Sequence, residues 1–436
     1  MKRENRRLTG AIAYDVVVIG GGASGMFAAG RAAESGARVL LLERNPRLGA
    51  KLAITGGGRC NLTNTDAPAD FIARFGANGR FLYGAIARFS SRDLREFFEK
   101  HGVPTREEEG GKVFPAGGTS EGVVRALARY LRNGAVTVAL NRRVAGVVVD
   151  PLREAVTGVR VQGEAGTIAA AKIILATGGL SYPATGCTGD GYRMAERLGH
   201  TITPLRPALV PLETEEAFPK DLQGLTLKNI AVTVLGGDRR VRTETGDLLF
   251  THFGLSGPVI LKLSGLIAER LDGGERVSVS IRLLPSLDEP GTNEVLRREF
   301  GCSGKKSAGA VMKSLAPKAL VPVLMRSAGV GKDKQGAQIT GAERRRLARR
   351  LMDFRLTIKR PRPIAEAIVT RGGIDVREID PRSMESKKVK GLFFCGEIID
   401  VDGDSGGYNL QAAFSTAFVA AAGASQAGPP LKSRFA

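Results

Sequence analysis

The sequence predicts an α/β protein in which two segments far apart in the chain build one parallel sheet, with a β-rich region and a basic helical region inserted between them. Three observations carry that prediction. The first fifty or so residues alternate apolar run, glycine turn, helical stretch and second apolar run; the last thirty-five or so return to the same grammar; and the intervening chain changes first to short alternating segments and then to helical spacing amid Lys and Arg.

Taken in order, Tyr14 to Gly20 (YDVVVIG) is a continuous apolar run suited to a strand buried on both faces, Ala23 to Ser35 is an Ala-rich helical stretch, and Arg38 to Leu42 is a second strand. Strand, turn, helix and strand in that order force parallel pairing. From Ala135 to Ala176 short β runs (VTVAL, VAGVVVD, VTGVRVQ, GTIAA, KIILATGG) predict a meander before the sheet resumes. Prolines from Pro204 to Pro219 mark a domain boundary, followed by alternating runs such as Ile230 to Leu235 and Val277 to Leu283. Apolar residues return at helical spacing between Asn293 and Leu356. After Pro363 the chain re-enters the first domain, through the buried run Gly391 to Gly396 and the Ala-rich helix Asn409 to Ala421 behind a glycine pair. The predicted boundaries are 1–203 and 358–436 for the discontinuous first domain, 204–288 for a β-rich insertion and 289–357 for a basic helical subdomain.

A chain of 436 residues with 43% hydrophobic and 25% charged residues has the balance of a water-soluble enzyme of two or three domains. Its apolar stretches are interrupted well before the ~18 residues a membrane span needs, and the basic start Met1 to Arg7 is not followed by the apolar core of a signal peptide, so a cytoplasmic location is expected. Four scattered cysteines (Cys60, Cys187, Cys302, Cys395) neither form a disulfide framework nor show metal-ligand spacing; reduced thiols and no metal are expected. The net charge of +20 is concentrated: residues 297–362 hold 18 Lys or Arg against 4 Asp or Glu. Such a field gathers polyanions. Arg344, Arg345, Arg346, Arg349, Arg350, Lys359 and Arg360 are the candidate RNA-binding cations, although a helix can also carry such a run simply as its solvated face.

Gly20, Gly22 and Gly25 form GxGxxG between the first strand and the first helix, and Glu43 closes the second strand. Glycines there let the backbone turn tightly and approach a diphosphate at a helix N-terminus, while a carboxylate at that distance accepts from adenosine ribose hydroxyls. This is the Rossmann arrangement, and an acid in place of a base points to an unphosphorylated ribose. On these residues alone FAD and NAD both remain candidates. Further glycine-rich turns lie at Ala176 to Gly179, Thr188 to Gly191 and Gly406-Gly407.

The stretches VVIGGGASGMFAA (17–29), KLAITGGGRCNLTN (51–64), ATGGLSYPATGCTGDGY (176–192), FTHFGLSGP (250–258), TRGGI (370–374) and GEIIDVDGDSGGYNLQ (396–411) together make the chain resemble the BaiN/YhiN (RdsA-like) flavoproteins, also known as the aminoacetone-oxidase-like FAD-binding enzymes. Cys187, where Ser is expected, and the strongly basic region depart from that pattern. The resemblance implies FAD held in a split Rossmann domain, an inserted β-barrel-like domain and a helical one. Carried over by motif, the FAD contacts are Gly20, Gly22, Ala23, Ser24, Gly25, Glu43, Arg44, Lys51, Arg59, Cys60, Val144, Thr177, Gly178, Gly396, Glu397, Asp400, Asn409 and Leu410, with Val144 contributing backbone beside the adenine. One branch of the family consists of ribosomal RNA dihydrouridine synthases. The expected activity is therefore reduction of uridine in 23S ribosomal RNA, and the alternative is reduction of an activated C=C bond or oxidation of an amine in a small molecule. No second strand–GxGxxG–helix unit exists, so NADH or NADPH as electron donor would visit transiently. Cys60, in GGGRCN, and His252, in THFGLSGP, are the candidate catalytic acids; each has a purely structural reading as well, a small packed residue and a hydrogen-bonding ring. Arg371 and Asp402 to Asp404 flank the expected flavin edge and are candidates to position substrate, with a turn-forming role an equal reading.

Overall fold

The computed structural model describes residues 14–425; the basic start Met1 to Arg7 and the tail after 425 lie outside the described residues. The chain forms two compact units, one containing the residues up to Arg206 and from Val369 onward, the other Pro207–Ile368.

In the first unit, β1 (Tyr14–Ile19) is apolar at every position except Asp15, whose carboxylate is tied to Arg38 at 3.0 Å. The chain crosses through α1 (Ala23–Glu34) into β2 (Val39–Leu42), and the two strands pair in parallel from Val16 opposite Val39 to Ile19 opposite Leu42. A short helix α2 (Ala50–Ile54) leads into the glycine run 56–58, and α3 (Ser120–Asn133) leads into β3 (Thr137–Ala139). β3 corrects the sequence reading. VTVAL does not begin the meander; it pairs in parallel with β2 at the edge of the main sheet, because α3 supplies the crossover that parallel pairing requires. The meander is β4 (Val144–Asp150), β5 (Ala155–Val161) and β6 (Ile168–Leu175), and β6 turns back into parallel register against β1. The order is β3-β2-β1-β6-β5-β4. The TGDG turn opens α4 (Asp190–Arg197).

The second unit is a closed six-stranded antiparallel barrel formed by β7 (Leu212–Thr214), β8 (Thr226–Gly236), β9 (Arg239–Thr251), β10 (Gly254–Ser256), β11 (Val277–Arg282) and β12 (Phe354–Pro361), in the order β7-β10-β9-β8-β11-β12. Alternation sets its interior: Val277, Val279 and Ile281 are buried while Ser278, Ser280 and Arg282 are not. Helix α5 (Pro258–Asp272) lies between β10 and β11. Helices α6 (Glu289–Cys302), α7 (Val321–Ser327) and α8 (Gly341–Met352) fall between the last two strands, and their Leu296, Leu324 and Leu347 join one apolar cluster with Val277 and Val279 of the barrel. A boundary at 357/358 therefore needs correction: it cuts β12, whose Leu356 and Ile358 pack in that cluster, and the return to the first unit comes at Val369.

On returning, β13 (Leu392–Phe394) pairs in parallel with β6, and α9 (Tyr408–Ser425) packs on α1, with Phe414 edge-on to Phe27 at 5.4 Å. The two ends of the chain share one core.

Candidate cofactor site

The first glycine turn is shaped by contacts no side chain would permit. Gly20 has φ +108°, and a Cβ on Gly25 would lie 1.8 Å from the Gly20 carbonyl oxygen, so α1 springs directly off the end of β1. At Gly22 the opposite holds: nothing lies within 4 Å of where a Cβ would be. Gly22 is the N-cap of α1, it offers no side-chain cap, and the first turn, which includes Ala23, Ser24 and Gly25, contains no acid. The first amides of that helix have no intrahelical acceptor, the space beside Gly22 is open, and the positive end of the helix dipole lies there. This is the fit expected for a diphosphate.

Glu43 follows β2 and is only 7% exposed. Its Oε2 accepts from the Gly21 amide at 2.6 Å and its Oε1 from the Asn45 amide at 2.7 Å, which pins the glycine turn to the second strand. Burial raises its pKa above the ordinary value, against the pull of these amides. Each oxygen keeps a lone pair for a ribose hydroxyl.

The far half of the cradle comes from residues hundreds of positions away. Lys51 Nζ donates to Glu397 Oε2 at 2.6 Å and to Ser181 Oγ at 2.6 Å; Ser181 Oγ donates to Glu397 Oε1 at 3.0 Å, and the Thr370 amide donates to the same oxygen at 2.8 Å. Four separated segments thus meet on one carboxylate. Gly396 fits against α1 so tightly that a Cβ would stand 2.5 Å from Ser24 Oγ. The glycine pair ahead of α9 is closely packed: Gly407 abuts the Thr63 carbonyl, and a Cβ there would be 2.3 Å from that oxygen. Thr177, beside Gly178, has a buried hydroxyl with no protein partner.

The other residues carried over by motif make protein contacts of their own. Arg44 turns to Thr188 Oγ1 at 2.5 Å and Asp190 Oδ2 at 3.2 Å, and Asp190 is also held by Arg143 and Arg193. Burial would raise that carboxyl, but the three guanidiniums outweigh it and hold it below the usual range. Arg59 stacks over Phe114 and pairs with Glu108. Asn409 spends its side chain on the preceding loop, bonding Gly403 N and O at 2.8 Å each, which leaves backbone as what it and Leu410 can offer a ligand. Val144 is buried at the start of β4. Asp400 is half-buried, and the desolvation pushes its carboxyl upward. Arg371 holds Asp402 at 3.0 Å.

Cys60 requires a correction. Its backbone is left-handed (φ 60°) and its side chain is 0% exposed within the apolar core, so the thiol does not face open space, and burial pushes its pKa up to about 12. A proton donor must reach its acceptor. His252, by contrast, is exposed in the turn between β9 and β10, its ring edge-on to Phe253 at 4.9 Å, and it belongs to the barrel unit and not to the unit carrying the cradle.

Among the basic residues, Arg346, Arg349 and Arg350 of α8 line one cleft of the barrel unit, Arg344 donates to Asn293 Oδ1 at 3.0 Å, Arg345 and Lys359 are exposed, and Arg360 is paired with Glu213 at 2.7 Å. Sequence reasoning missed Ser181, Thr370, Arg143 and Asp190; the signal was present, since all but Arg143 are polar residues set in or beside the glycine-rich motifs.

Comparison with known proteins follows the same lines. The family profile described as the HI0933-like protein Rossmann domain matches residues 14–423. A ribosomal RNA dihydrouridine synthase of Escherichia coli (strain K12) is 34% identical over 409 residues, covering 94% of this chain and 97% of that protein. A 3-dehydro-bile acid delta(4,6)-reductase of Clostridium scindens is 30% identical, covering 94% and 98%. In fold, the chain superposes on a 3-ketosteroid-delta4-(5alpha)-dehydrogenase of Rhodococcus jostii RHA1 with a TM-score of 0.54 at 16% identity, covering 96% and 98%. No described helix is long and apolar enough to cross a membrane.

Proposed function

This chain belongs to the HI0933-like Rossmann-domain family and is an FAD-dependent oxidoreductase; from that premise we propose that it reduces uridine to dihydrouridine in ribosomal RNA. The observation that carries the substrate is near-full-length similarity to a ribosomal RNA dihydrouridine synthase in a chain whose own excess charge is gathered in residues 297–362 of one unit. Reduced FAD supplies a hydride. The uracil C5=C6 bond is conjugated to the C4 carbonyl, so it accepts hydride at C6 and then a proton at C5. The protein's part is to present the base unstacked, to hold the RNA by its phosphates and to exclude water.

In this reading the amides of α1 and the Glu43 carboxylate hold the adenine dinucleotide, the Lys51–Glu397–Ser181 network locks the C-terminal segment against the cradle, and the amides of α9 lie where negative charge is stabilised. NADH or NADPH is the proposed transient donor. Of the two acids weighed, His252 is carried forward as the one accessible to a substrate.

A second reading draws on the bile acid reductase relative: reduction of an activated C=C bond in a small molecule. One experiment separates them. Protein holding FAD is reduced anaerobically with NADPH or NADH and incubated with ribosomal RNA from a strain lacking the gene, and dihydrouridine is quantified by mass spectrometry of nucleosides. Appearance at a discrete uridine supports the proposal; none, with the flavin reoxidised instead by small enones, transfers the chain to the second reading.

A further inference from the structure

Within the barrel unit, β8, β9 and β11 and helix α8 enclose a cleft of about 710 Å³ lined by Arg240, Arg282, Arg346, Arg349, Arg350 and Arg355, against only two carboxylates, Glu289 and Asp353. How those arginines are held matters more than their number. Arg346 Nε donates to the Ala328 carbonyl at 2.8 Å and Arg350 Nε to the Ser327 carbonyl at 3.1 Å, both at the C-terminal end of α7. Backbone carbonyls at a helix C-terminus fix and favour a cation without neutralising it. Arg282 is half-buried with its Nε lacking a partner, and Arg240 has no carboxylate partner among the described residues. Arg349 is paired with the exposed Glu289, a contact worth little against a competing phosphate, while Arg355 is held between the half-buried Asp353 and the exposed Asp238.

A second depression of about 410 Å³ shares Ser327, Arg350 and Arg355 with the first, so the two adjoin across these residues. It adds Arg326 and a half-buried aromatic, Phe218, backed by Phe354 at 5.5 Å. Preorganised guanidiniums running into an aromatic face form the combination that holds a single-stranded polynucleotide: phosphates track the cations and a base stacks on the ring. A free phosphate would use only the first part.

We propose that this trough binds a short single-stranded stretch of RNA, with its phosphodiesters on Arg240, Arg346, Arg349 and Arg350 and one base on Phe218. The proposal rests on the RNA reading above and names the surface responsible.

The test uses the full-length FAD-loaded protein and a fluorescent ten-nucleotide RNA, with anisotropy read from 0.05 to 0.5 M salt. Arg240→Gln/Arg349→Gln leaves the carbonyl-bonded arginines in place; equal flavin content and an unchanged circular dichroism melt show that it folds. With about 0.7 counterions released per single-strand phosphate, losing two contacts lowers the salt slope by about 1.4 and weakens binding roughly 25-fold at 0.1 M salt. Phe218→Ala weakens binding by roughly fivefold or more with the slope unchanged. If both variants bind as the wild type does, or if inorganic pyrophosphate alone occupies the trough and Phe218→Ala changes nothing, the proposal is overturned. The two levels fail separately. RNA bound in the trough but never reduced sinks the uridine reading and leaves the trough, whereas uridine reduced by variants of undiminished affinity sinks the trough and leaves the reading.

Discussion

Gly22 separates cofactor binding from folding at a single residue. Its extended backbone (φ −78°, ψ −169°) and the empty space around it accept a side chain, so Gly22→Asp should fold, its carboxylate capping α1 and adding a few tenths of a kcal/mol. The same carboxylate would face a diphosphate, a repulsion on the order of 4 kcal/mol at ~4 Å and an effective dielectric of ~20. The expected protein is colourless and melts no lower than FAD-free wild type; a yellow one would mean that the diphosphate does not lie at this helix. Cysteine chemistry gives a second test at this scale. Cys60 and Cys395 are buried and their thiols pushed up to about 12, Cys187 is buried and also raised, and Cys302 is exposed. Iodoacetamide at pH 8 should therefore modify Cys302 alone in the native protein, as read by peptide mapping, and rapid labelling of Cys60 would restore it as a candidate donor.

Helix α8 illustrates how an element prepares a function carried by other residues. Thr340 and Glu343 form a capping box, and Lys334 reaches Glu343 at 2.8 Å. The Lys334 ammonium first, then the Thr340 amide, pull the Glu343 carboxyl down to about 2 from an ordinary 4.5. Because the folded value is depressed, the stabilisation is complete above pH ~4.5 and is lost as pH falls towards ~2. Glu343→Ala should cost about 1 kcal/mol at pH 7, and the gap from wild type should close across that acidic window in urea titrations. A gap that persists at the acid end would show that the carboxylate is not what holds the cap. Loss of this cap frays the helix that carries Arg346, Arg349 and Arg350.

At the scale of the whole chain, the Glu397 carboxylate closes the circle between the N-terminal and C-terminal segments of the first unit. Glu397→Ala removes the acceptor that Lys51, Ser181 and the Thr370 amide share, and such loss at a half-buried site costs about 2 kcal/mol. The expected result is a lower urea midpoint for the first unit, earlier proteolytic cutting after Val369 and weaker FAD retention, with the barrel unit's transition unmoved. A simultaneous fall in both transitions would mean that the two units do not unfold separately.

The βαβ start, the glycine turn, Glu43 and the returning C-terminal strand and helix were legible in the residues, because each is a local demand: an apolar period, a backbone that needs no Cβ, an acid at the end of a strand. The basic region was legible as charge. Tertiary structure alone decided the rest. VTVAL reads as one more short strand, and only its neighbour β2 makes it parallel; β12 follows a helical stretch and belongs to the barrel because β7 and β11 need a partner. Likewise a motif names Cys60, Arg44 and Asn409 but does not say where they point, since side-chain direction and burial depend on what packs opposite them, and the partners lie up to hundreds of residues away.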